Sequence, residues 1–334
     1  MVNYMNGIFL AGTGRYIPEK TVTNDDMSKI VETSDEWIRT RSGISERHFA
    51  SGETTSYMGA QAAIKAIESA GIAPKDIDMI IVTTITADYL FPSVACLVQE
   101  HIGNTTAACF DLNAACTGFA YAVDIAQKYL ALGEAENVLI VSTEALSKLI
   151  NFSDRTTCVL FGDGAGACVL QKSNKMYASY LTSVGGGGKY LYAKIDRQKT
   201  PYEQEDAVTG TEREMTQNIG YINMDGKEVY KFAIKAMPSA VEEACKKAGI
   251  EPAEIDIIVP HQANIRIVET ALKNLNLPME KAYVNLDKYG NTSSATIPIA
   301  LDELYRGGRI KKGDKVCLTG FGGGLTYGAV IFEM

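Results

Sequence analysis

Residues 66–82, AIESAGIAPKDIDMIIV, and residues 244–260, ACKKAGIEPAEIDIIVP, are two versions of one pattern. At a constant offset of 178 positions, the residues Ala, Ala, Gly, Ile, Pro, Ile, Asp and Ile recur in the same order. Each version predicts a helix that ends at Gly71 or Gly249, a proline-containing turn, and a buried strand. A chance match between two βα units is one interpretation. The offset is about half of the 334 residues, which favours two homologous halves.

Strand-like and helix-like segments alternate along the rest of the chain, which is typical of an α/β protein. The predicted boundary lies near Gln171–Asn174, where a strand pattern ends in polar residues, so the two units are residues 1–173 and 174–334. Long helices are predicted over Gly118–Leu132 and Glu228–Lys247. The predicted strands are Met79–Thr84, Ala108–Leu112, Val138–Ser142, Ala167–Leu170, Ile255–Val259, Lys315–Leu318 and Ala329–Phe332.

The composition argues against several classes of protein. A net charge of −8 disfavours a nucleic-acid partner and leaves room only for a local basic patch. There is no run of about eighteen apolar residues, and the N-terminal residues lack the basic segment of a secretory signal. We therefore expect a cytoplasmic protein with no membrane partner. The seven cysteines include no CxxC pair, so we expect neither a disulfide framework nor a metal site.

Cys116 is the candidate nucleophile. It follows a predicted strand that ends at Leu112, and a helix is predicted to begin at about Thr117–Gly118, so the chain turns sharply at the cysteine. Small neighbours permit a turn that leaves the sulfur exposed, as in a nucleophile elbow. The N–H groups at a helix N-terminus favour thiolate, so we expect the pKa of Cys116 to be lowered. The alternative is a buried structural cysteine, the expected state of the other six.

His261 and Asn291 are candidate partners of this cysteine. His261 stands directly after the predicted strand Ile255–Val259, and the repeat aligns it with Thr83, just past the equivalent strand. Sites in α/β sheets gather outside the carboxyl ends of strands, although a lone histidine is usually structural. Asn291 lies in a turn ahead of a helix N-cap region, where asparagine is common for structural reasons. The asparagine signal is therefore weak by itself.

Three glycine-rich segments have different interpretations. Gly322–Gly324 is a turn where a backbone can approach a ligand, so an N–H there is a candidate for an oxyanion hole together with the N–H of Cys116. Gly162–Gly166 has the wrong spacing for a dinucleotide loop and is predicted to be a tight backbone crossing. The polar stretch from Gly185 to about Asn218 predicts a mobile loop or lid.

Together these motifs resemble the β-ketoacyl-acyl-carrier-protein synthase III family, the initiating condensing enzymes of fatty acid synthesis. The resemblance covers nearly the whole chain. It rests on GTGRYIP near the N-terminus, TSDEWIRTRSGI at 33–44, AACTGF at 114–119, DR at 154–155, FGDGAGA at 161–167, PHQANIRI at 260–267, YGNTS at 289–293 and the C-terminal GFGGG.

The resemblance implies a thiolase-like αβαβα layered fold of two pseudo-equivalent halves. It implies decarboxylative condensation of an acyl-coenzyme A primer with malonyl-acyl carrier protein, with no cofactor besides the coenzyme A thioester that is a substrate. It also implies a homodimer. Cys116 is then the acyl acceptor, His261 and Asn291 stabilise the enolate formed when the malonyl group loses CO₂, and the N–H groups of Cys116 and Gly323 form the oxyanion hole.

The remaining residues that the resemblance implies fall into three groups. Five residues are expected to bind coenzyme A, with its adenine between Trp37 and Arg155; three basic residues are expected to receive the acidic carrier protein; and two phenylalanines, one of them reaching the neighbouring subunit, are expected at the acyl pocket. In that order they are Thr33, Trp37, Arg41, Arg155 and Asn264; Lys231, Arg266 and Lys273; and Phe321 and Phe91.

Other functions stay open at this point. The order Cys, His, Asn also describes papain-like cysteine hydrolases, although the Cys-Gly-Ser/Ala-Cys-Trp/Tyr pattern around their nucleophile is absent. An intact Cys, His and Asn set disfavours a noncatalytic dimeric scaffold of the same fold. A relative that uses the same site in specialised metabolism is barely separable by sequence. The sequence also leaves open whether the primer is acetyl, branched or longer.

Overall fold

A computed structural model describes residues 6–196, 200–202, 215 and 218–334 of the chain. Within them the strands are β1 (Gly7–Tyr16), β2 (Thr21–Thr23), β3 (Glu46–His48), β4 (Met79–Thr83), β5 (Ala108–Leu112), β6 (Asn137–Ala145), β7 (Asp163–Ser173), β8 (Tyr177–Ser183), β9 (Leu191–Ala193), β10 (Ile222–Met224), β11 (Ile257–Pro260), β12 (Lys315–Gly322) and β13 (Thr326–Glu333). The helices are α1 (Asn24–Ser28), α2 (Asp35–Ser42), α3 (Thr55–Ala70), α4 (Val94–Ile102), α5 (Gly118–Leu132), α6 (Gly226–Ala248), α7 (Ile265–Asn274), α8 (Leu286–Tyr289) and α9 (Thr296–Arg306). Every predicted strand and helix is present, with ends that differ by a few residues.

Two sheets divide the chain between them. The first has the order β1-β7-β6-β4-β5 and takes its strands from residues 7–173, with β4 parallel to both β5 and β6. The second has the order β11-β12-β13-β8 and takes its strands from residues 177–333, with β11 parallel to β12. These ranges support a boundary near residue 173, which stays a prediction.

The repeated segments adopt the same structure in both halves. Gly71 ends α3 and Gly249 ends α6, both in the left-handed conformation with φ of 69° and 71°. After a short 3₁₀ turn, Asp78 accepts the backbone N–H of Asn137 at 2.9 Å, and Asp256 accepts that of Lys315 at 2.8 Å. Both bonds join positions that are equivalent at the 178-residue offset. The repeat is therefore a structural duplication, and the chance interpretation is wrong.

Helices α5 and α9 lie between the two sheets, and the other long helices cover their outer faces. The shared core contains Phe119 and Val123 of α5, Ile297 and Leu301 of α9, Ile81 and Ile140 of the first sheet, and Leu318 and Val330 of the second. Helices α3 and α4 pack on the first sheet, and α6 and α7 pack on the second. This is the predicted αβαβα layering. Both central helices begin at the same end of the molecule, which positions the site described next.

Two glycine-rich segments test the predictions made for them. A Cβ at Gly162 would lie 2.4 Å from the carbonyl oxygen of Tyr289, and one at Gly166 would lie 2.7 Å from the backbone nitrogen of Ile299. The predicted close crossing is therefore confirmed. The Gly185–Asn218 stretch begins differently from the prediction, because Gly185–Tyr190 is a 3₁₀ helix and β9 pairs with β10. The rest of that prediction falls largely on residues 197–199, 203–214 and 216–217, outside the described residues.

None of the helices in the described ranges is both long enough and apolar enough to cross a bilayer.

Candidate active site

The turn that carries Cys116 connects β5 to α5. A 3₁₀ turn spans Ala115–Thr117, and α5 begins at Gly118, two residues after the cysteine. Ala115 has a φ of 46°, a left-handed value that is uncommon for a residue with a Cβ, so the turn is tight. The predicted strand-to-helix elbow is confirmed.

The surroundings of the Cys116 sulfur differ from the prediction. Only 7% of the residue is exposed, and burial raises the pKa of the thiol to about 12, with the nearby carboxylate of Glu144 acting in the same direction. A hydrogen bond to Ser293 Oγ at 3.4 Å opposes this rise. The predictions of an exposed sulfur and a lowered pKa are wrong, because the cost of removing a thiolate from water outweighs the favourable hydrogen bonds. The Cys116 side chain is therefore a thiol at neutral pH.

His261 follows β11 and is buried, so its pKa is lowered to about 3 and the imidazole is neutral at pH 7. Its Nδ1 lies 2.7 Å from Oγ1 of Thr296, the first residue of α9. The ring of Phe321 packs edge-on against the imidazole, with 5.4 Å between the centroids. The single hydroxyl proton of Thr296 has two acceptors within reach, Nδ1 of His261 and the carbonyl oxygen of Ser293 at 3.0 Å. In the tautomer in which that proton is donated to Nδ1, the ring proton is on Nε2 and the imidazole offers a neutral N–H donor.

Asn291 is fixed by contacts with the first half of the chain and by its own turn. Its backbone N–H donates to the carbonyl of Leu160 at 2.9 Å, and its carbonyl accepts the N–H of Gly162 at 3.0 Å. Its side-chain Oδ1 accepts the backbone N–H of Ser293 at 2.8 Å. A backbone N–H can only donate, so this bond fixes the amide orientation and leaves the NH₂ group as a donor.

The turns at Cys116 and Asn291 are equivalent at the same 178-residue offset. Asn113 Oδ1 accepts the N–H of Ala115 at 3.2 Å, as Asn291 does that of Ser293. Ala115 and Ser293 both have positive φ, 46° and 50°, in 3₁₀ turns that lead into α5 and α9. These two turns contact each other. The duplication therefore brings the cysteine turn and its counterpart together between the halves.

Two cavities meet at Cys116. The first, of about 300 Å³, is lined by Cys116, His261, Asn291, Phe321, Asn264, Arg41 and Trp37. The second, of about 600 Å³, is also lined by Cys116, and its largely apolar wall includes Ile85, Leu146, Leu149, Phe161, Leu191 and Ile222. The three candidate catalytic residues thus share one cavity wall. A sulfur between two compartments suits the transfer of a group from one to the other.

Trp37 and its predicted partner Arg155 are close to each other. Trp37 is half-buried, and the guanidinium carbons of Arg41 and Arg155 lie 4.8 Å and 5.2 Å from its ring centroid. Arg155 also donates to the carbonyl of Glu32 at 3.0 Å. A flat base between Trp37 and Arg155 needs a separation of about 7 Å, two stacking distances of about 3.5 Å. The Arg155 side chain must therefore move outward for the predicted adenine sandwich to form.

Asn264 lies near the end of α2, whereas Thr33 precedes the start of that helix. The amide NH₂ of Asn264 donates to the carbonyl of Arg41 at 2.9 Å, and its Oδ1 accepts the N–H of Arg266 at 2.9 Å. Asn264 therefore ties the start of α7 to the end of α2 at the cavity wall. The hydroxyl of Thr33 is buried and has no hydrogen-bond partner among the described residues.

The predicted docking residues lie on α6 and α7, which pack together. Lys231 is on α6 and bonds to Glu228 at 2.6 Å, whereas Arg266 and Lys273 are on α7 and exposed. The two helices are linked by Tyr230 Oη and Thr270 Oγ1 at 3.2 Å and by the Asn274 amide, which donates to the carbonyl of Ile234 at 2.9 Å. Two exposed lysines that the sequence analysis did not single out, Lys227 and Lys235, lie one helical turn either side of Lys231.

Gly323 and the two phenylalanines are placed as follows. Gly323 lines the apolar cavity, and its neighbour Gly322 passes so close to the cysteine turn that a Cβ there would lie 2.6 Å from the Cys116 nitrogen. Phe321 lines the first cavity beside His261 and not the apolar one. Phe91 is 85% exposed and lines neither cavity of its own chain.

Sequence reasoning missed four residues that touch the candidate site. Thr296 holds His261, Ser293 contacts the Cys116 sulfur, and Ser294 and Glu144 bond to each other at 2.8 Å beneath them. The available signal was the 178-residue offset, which relates Asn113 to Asn291 and Cys116 to Ser294. Within the described part of the chain, no group of three or more His, Cys, Asp or Glu side chains is arranged to hold a metal ion.

The sequence matches known family models and a known relative. The family model for 3-oxoacyl-acyl-carrier-protein (ACP) synthase III matches residues 110–186, and the model for the C-terminal part of that enzyme matches residues 245–334. A β-ketoacyl-acyl-carrier-protein synthase III of Clostridium acetobutylicum is 49% identical over 331 residues, covering 98% of this chain and 99% of the relative.

Solved structures of condensing enzymes superpose closely on this chain. The 3-oxoacyl-acyl-carrier-protein synthase III of Aquifex aeolicus superposes with a TM-score of 0.90 at 43% identity, covering 98% of this chain and 100% of that one. The priming β-ketosynthase of a polyketide biosynthetic pathway superposes with a TM-score of 0.87 at 32% identity, covering 100% of this chain and 98% of that one. The fold is thus that of the thiolase-like condensing enzymes. Within that class, the chain belongs to the β-ketoacyl-acyl-carrier-protein synthase III family.

Proposed function

We propose that this protein initiates fatty acid synthesis by a two-step exchange at Cys116. In the first step an acyl group passes from coenzyme A to the cysteine, and in the second it is condensed with malonyl-acyl carrier protein. The observation that carries the proposal is that Cys116, His261 and Asn291 line one cavity while Cys116 also lines a second, largely apolar cavity. The membership of the family supports the overall reaction.

The first step exchanges one thioester for another. The Cys116 sulfur attacks the carbonyl carbon of acyl-coenzyme A, the carbon–sulfur bond to coenzyme A breaks, and the thiol proton ends on the departing coenzyme A sulfur. The raised pKa of Cys116 means that the thiol must lose its proton as the attack proceeds. We assign the tetrahedral oxyanion to the backbone N–H groups of Cys116 and Gly323, and the close approach of Gly322 to the cysteine turn supports this assignment.

The second step loses CO₂ and forms a carbon–carbon bond. The carbon–carboxylate bond of the malonyl group breaks, and its electron pair becomes an enolate whose oxygen accepts N–H donors from His261 and Asn291. The enolate carbon attacks the acyl-cysteine, the bond from the carbonyl carbon to the Cys116 sulfur breaks, and the departing thiolate takes up one proton from solvent. His261 suits this role because its pKa of about 3 keeps the ring neutral, so it stabilises charge as a hydrogen-bond donor across the physiological pH range.

The apolar cavity is the proposed place for the acyl chain. Its wall is formed by Ile85, Leu146, Leu149, Leu191 and Ile222, and Cys116 is its link to the other cavity. The first cavity, which Trp37, Arg41 and Asn264 also line, is the proposed channel for the pantetheine arm. An acyl group that leaves coenzyme A thus enters one cavity while the arm withdraws from the other.

A two-stage mass measurement tests this function. Incubation with a panel of acetyl, branched and longer acyl-coenzyme A thioesters should add one acyl mass to the intact protein, located on Cys116. Subsequent malonyl-acyl carrier protein should remove that mass and yield β-ketoacyl-carrier protein and CO₂. An adduct that is released by water at the same rate without the malonyl substrate would instead indicate a hydrolase. The panel also identifies the primer.

A priming role in specialised metabolism is the second candidate function. It is favoured by one observation, the full-length similarity to the polyketide priming β-ketosynthase. The same mass measurement separates the two candidates when it is run with carrier proteins of both pathways.

The proposed carrier-protein surface is formed by Lys231, Arg266 and Lys273, with Lys227 and Lys235 extending it along α6. Arg266 and Lys273 are exposed, and Lys231 is partly compensated by its ion pair with Glu228. A protein of net charge −8 repels an acidic partner on average. Productive docking therefore needs a local positive field near the first cavity, which is lined by Asn264, the residue that precedes α7.

Reversal of the charge at Arg266 tests this surface. Arg266→Glu should raise the KM for malonyl-carrier protein on the order of tenfold at low salt, because it replaces attraction by repulsion. Acylation by acetyl-coenzyme A should change little, and the wild-type KM for the carrier substrate should rise with ionic strength. Lys312→Glu is the matched control. Lys312 is exposed and precedes the start of β12, whereas the first cavity is lined by residues at the end of that strand. Equal losses in both half-reactions would assign Arg266 to the fold or to coenzyme A.

We also infer a homodimer and a cytoplasmic location. Strand β5 is an edge strand, and the neighbouring loop exposes Tyr89, Leu90 and Phe91 by 61%, 78% and 85%. An exposed apolar edge of this kind is suited to contact with a second copy of the chain. At that contact, Phe91 is proposed to reach the acyl cavity of the partner subunit.

A further inference from the structure

Glu144 is a fully buried carboxylate at the end of β6 that the two proposed steps do not use. Its Oε2 accepts the backbone N–H of Ile85 at 3.0 Å and the hydroxyl groups of Thr86 at 2.9 Å and Thr84 at 3.3 Å. Its Oε1 accepts the hydroxyl of Ser294 at 2.8 Å. No Lys, Arg or His of the described residues forms an ion pair with it. A buried carboxyl held by so many neutral donors calls for an explanation.

The bonds of Glu144 join both halves of the chain beneath the candidate site. Thr84, Ile85 and Thr86 follow the end of β4, whereas Ser294 belongs to the 3₁₀ turn that leads into α9. Ser294 also lies 3.2 Å from the carbonyl of Thr83. Its neighbour Ser293 contacts the Cys116 sulfur at 3.4 Å and donates its backbone N–H to Asn291. A contact that fixes Ser294 therefore also fixes its neighbour Ser293. Through Ser293 it fixes the orientation of the Asn291 side chain and the polar partner of the Cys116 thiol.

The duplication shows what Glu144 replaces. At the 178-residue offset, Cys116 corresponds to Ser294, His261 to Thr83, and Glu144 to Gly322. Beside Cys116 of the first half, Gly322 of the second half has no side chain. Beside Ser294 of the second half, the Glu144 side chain of the first half extends to the position equivalent to the nucleophile and accepts its hydroxyl. The position equivalent to the nucleophile is thus bonded to a carboxyl side chain, whereas the corresponding space beside Cys116 holds no side chain.

We propose that Glu144 is a positioning residue of the condensation site, which anchors the Asn291 turn through Ser294 and, in its carboxylate form, disfavours ionisation of the Cys116 thiol. This inference rests on the proposed function, in which Asn291 serves the malonyl step. One turn connects Glu144 to the cysteine, because Ser294 bonds to Glu144 at 2.8 Å and the adjacent Ser293 contacts the Cys116 sulfur at 3.4 Å. Burial raises the pKa of Glu144, and the negative charge of its carboxylate form raises the pKa of Cys116.

Two variants separate the anchor from the charge. Ser294→Ala removes the link to the turn but keeps the carboxylate, so condensation should fall on the order of tenfold, the effect of one buried hydrogen bond, while acylation of Cys116 persists. Glu144→Gln keeps the shape, because the amide oxygen can accept from Ile85 and the amide NH₂ can donate to Ser294, but removes the charge. Its effect should appear in the ionisation of the thiol.

Alkylation of Cys116 by iodoacetamide measures that ionisation without any substrate. Below the pKa of about 12, the rate is proportional to the thiolate fraction. Loss of a neighbouring negative charge lowers the pKa of the thiol, so Glu144→Gln should alkylate roughly tenfold faster at a fixed pH near 8. Peptide mass spectrometry assigns the adduct to Cys116 and not to the exposed Cys96.

Asp163→Asn is the matched control for a buried carboxylate. Asp163 is 1% exposed and accepts the backbone N–H groups of Ala50 and Ser147 at 2.8 Å each, without an effect on the thiol. Its variant should leave the alkylation rate unchanged. The inference is overturned if Ser294→Ala condenses at the wild-type rate, or if Glu144→Gln and Asp163→Asn change the alkylation rate equally. If Glu144→Gln fails to fold, the condensation and acylation rates of Ser294→Ala decide whether the inference holds. A wild-type protein that acylates but does not condense would refute the proposed function instead.

Discussion

Replacement of Cys116 by alanine is expected to abolish both the acyl adduct and the condensation reaction. The sulfur is the only nucleophile proposed to form a covalent bond to the acyl group, and Ala has no group that can replace it. Intact-mass measurement after incubation with acetyl-coenzyme A should show one acetyl mass on the wild-type protein and none on Cys116→Ala. Removing a covalent nucleophile of this kind typically costs on the order of 10⁶ in rate.

The control for this experiment is Cys96→Ala. Cys96 is the most exposed of the seven free cysteines and is the thiol most open to adventitious acylation. That variant should carry the same adduct as the wild-type protein and should condense at a similar rate. An acetyl mass on Cys116→Ala that maps to another cysteine would show that Cys116 is not the acceptor.

Substitution of Asn291 is expected to separate the two half-reactions. Asn291→Ala removes the proposed amide donor to the enolate, and loss of one such donor costs on the order of 10²–10³ in rate. Acylation of Cys116 should survive, because the proposed oxyanion hole for that step uses backbone N–H groups. The measurements are acyl-enzyme formation by mass, and release of CO₂ and β-ketoacyl-carrier protein in the presence of the malonyl substrate.

Asn291→Asp distinguishes the donor from the turn. An aspartate can still accept the N–H of Ser293, which Asn291 accepts at 2.8 Å, but it cannot donate to an enolate oxygen. Both variants should therefore lose condensation. If Asn291→Asp condenses like the wild-type protein, the residue shapes the turn and has no part in stabilising the enolate.

Local patterns in the sequence predicted most of the elements of the fold. The apolar runs gave β4, β6 and β12, because a strand buried between helix layers must be apolar on both faces. Gly71 and Gly249 predicted the ends of α3 and α6, because a helix commonly ends in a left-handed residue that glycine adopts without strain. The repeat at 66–82 and 244–260 then predicted two halves. The strand and helix-end signals depend on neighbours within about twenty residues, and the repeat is found by comparing two segments of the same sequence.

The electrostatic state of the site depended on the tertiary structure. A helix N-terminus and small neighbours predicted a low pKa for Cys116, but that local pattern contains no information on burial. The packing of α5 and α9 between the sheets excludes water from the sulfur, and Glu144, Ser293 and Ser294 approach it from distant parts of the chain. Desolvation and long-range charge therefore reversed the direction of the shift.

The sequence by itself determined the layered α/β fold, the two homologous halves and the family, together with Cys116, His261 and Asn291 as the residues to test. Only the tertiary structure decided which side chains surround them. Thr296 beside His261, the two cavities that meet at Cys116, and the Glu144–Ser294 contact join segments that are 35 or more positions apart in the chain. The physical reason is that periodicity and turn chemistry are local, whereas burial, cavity shape and charge arise from segments brought together by the packing of the halves.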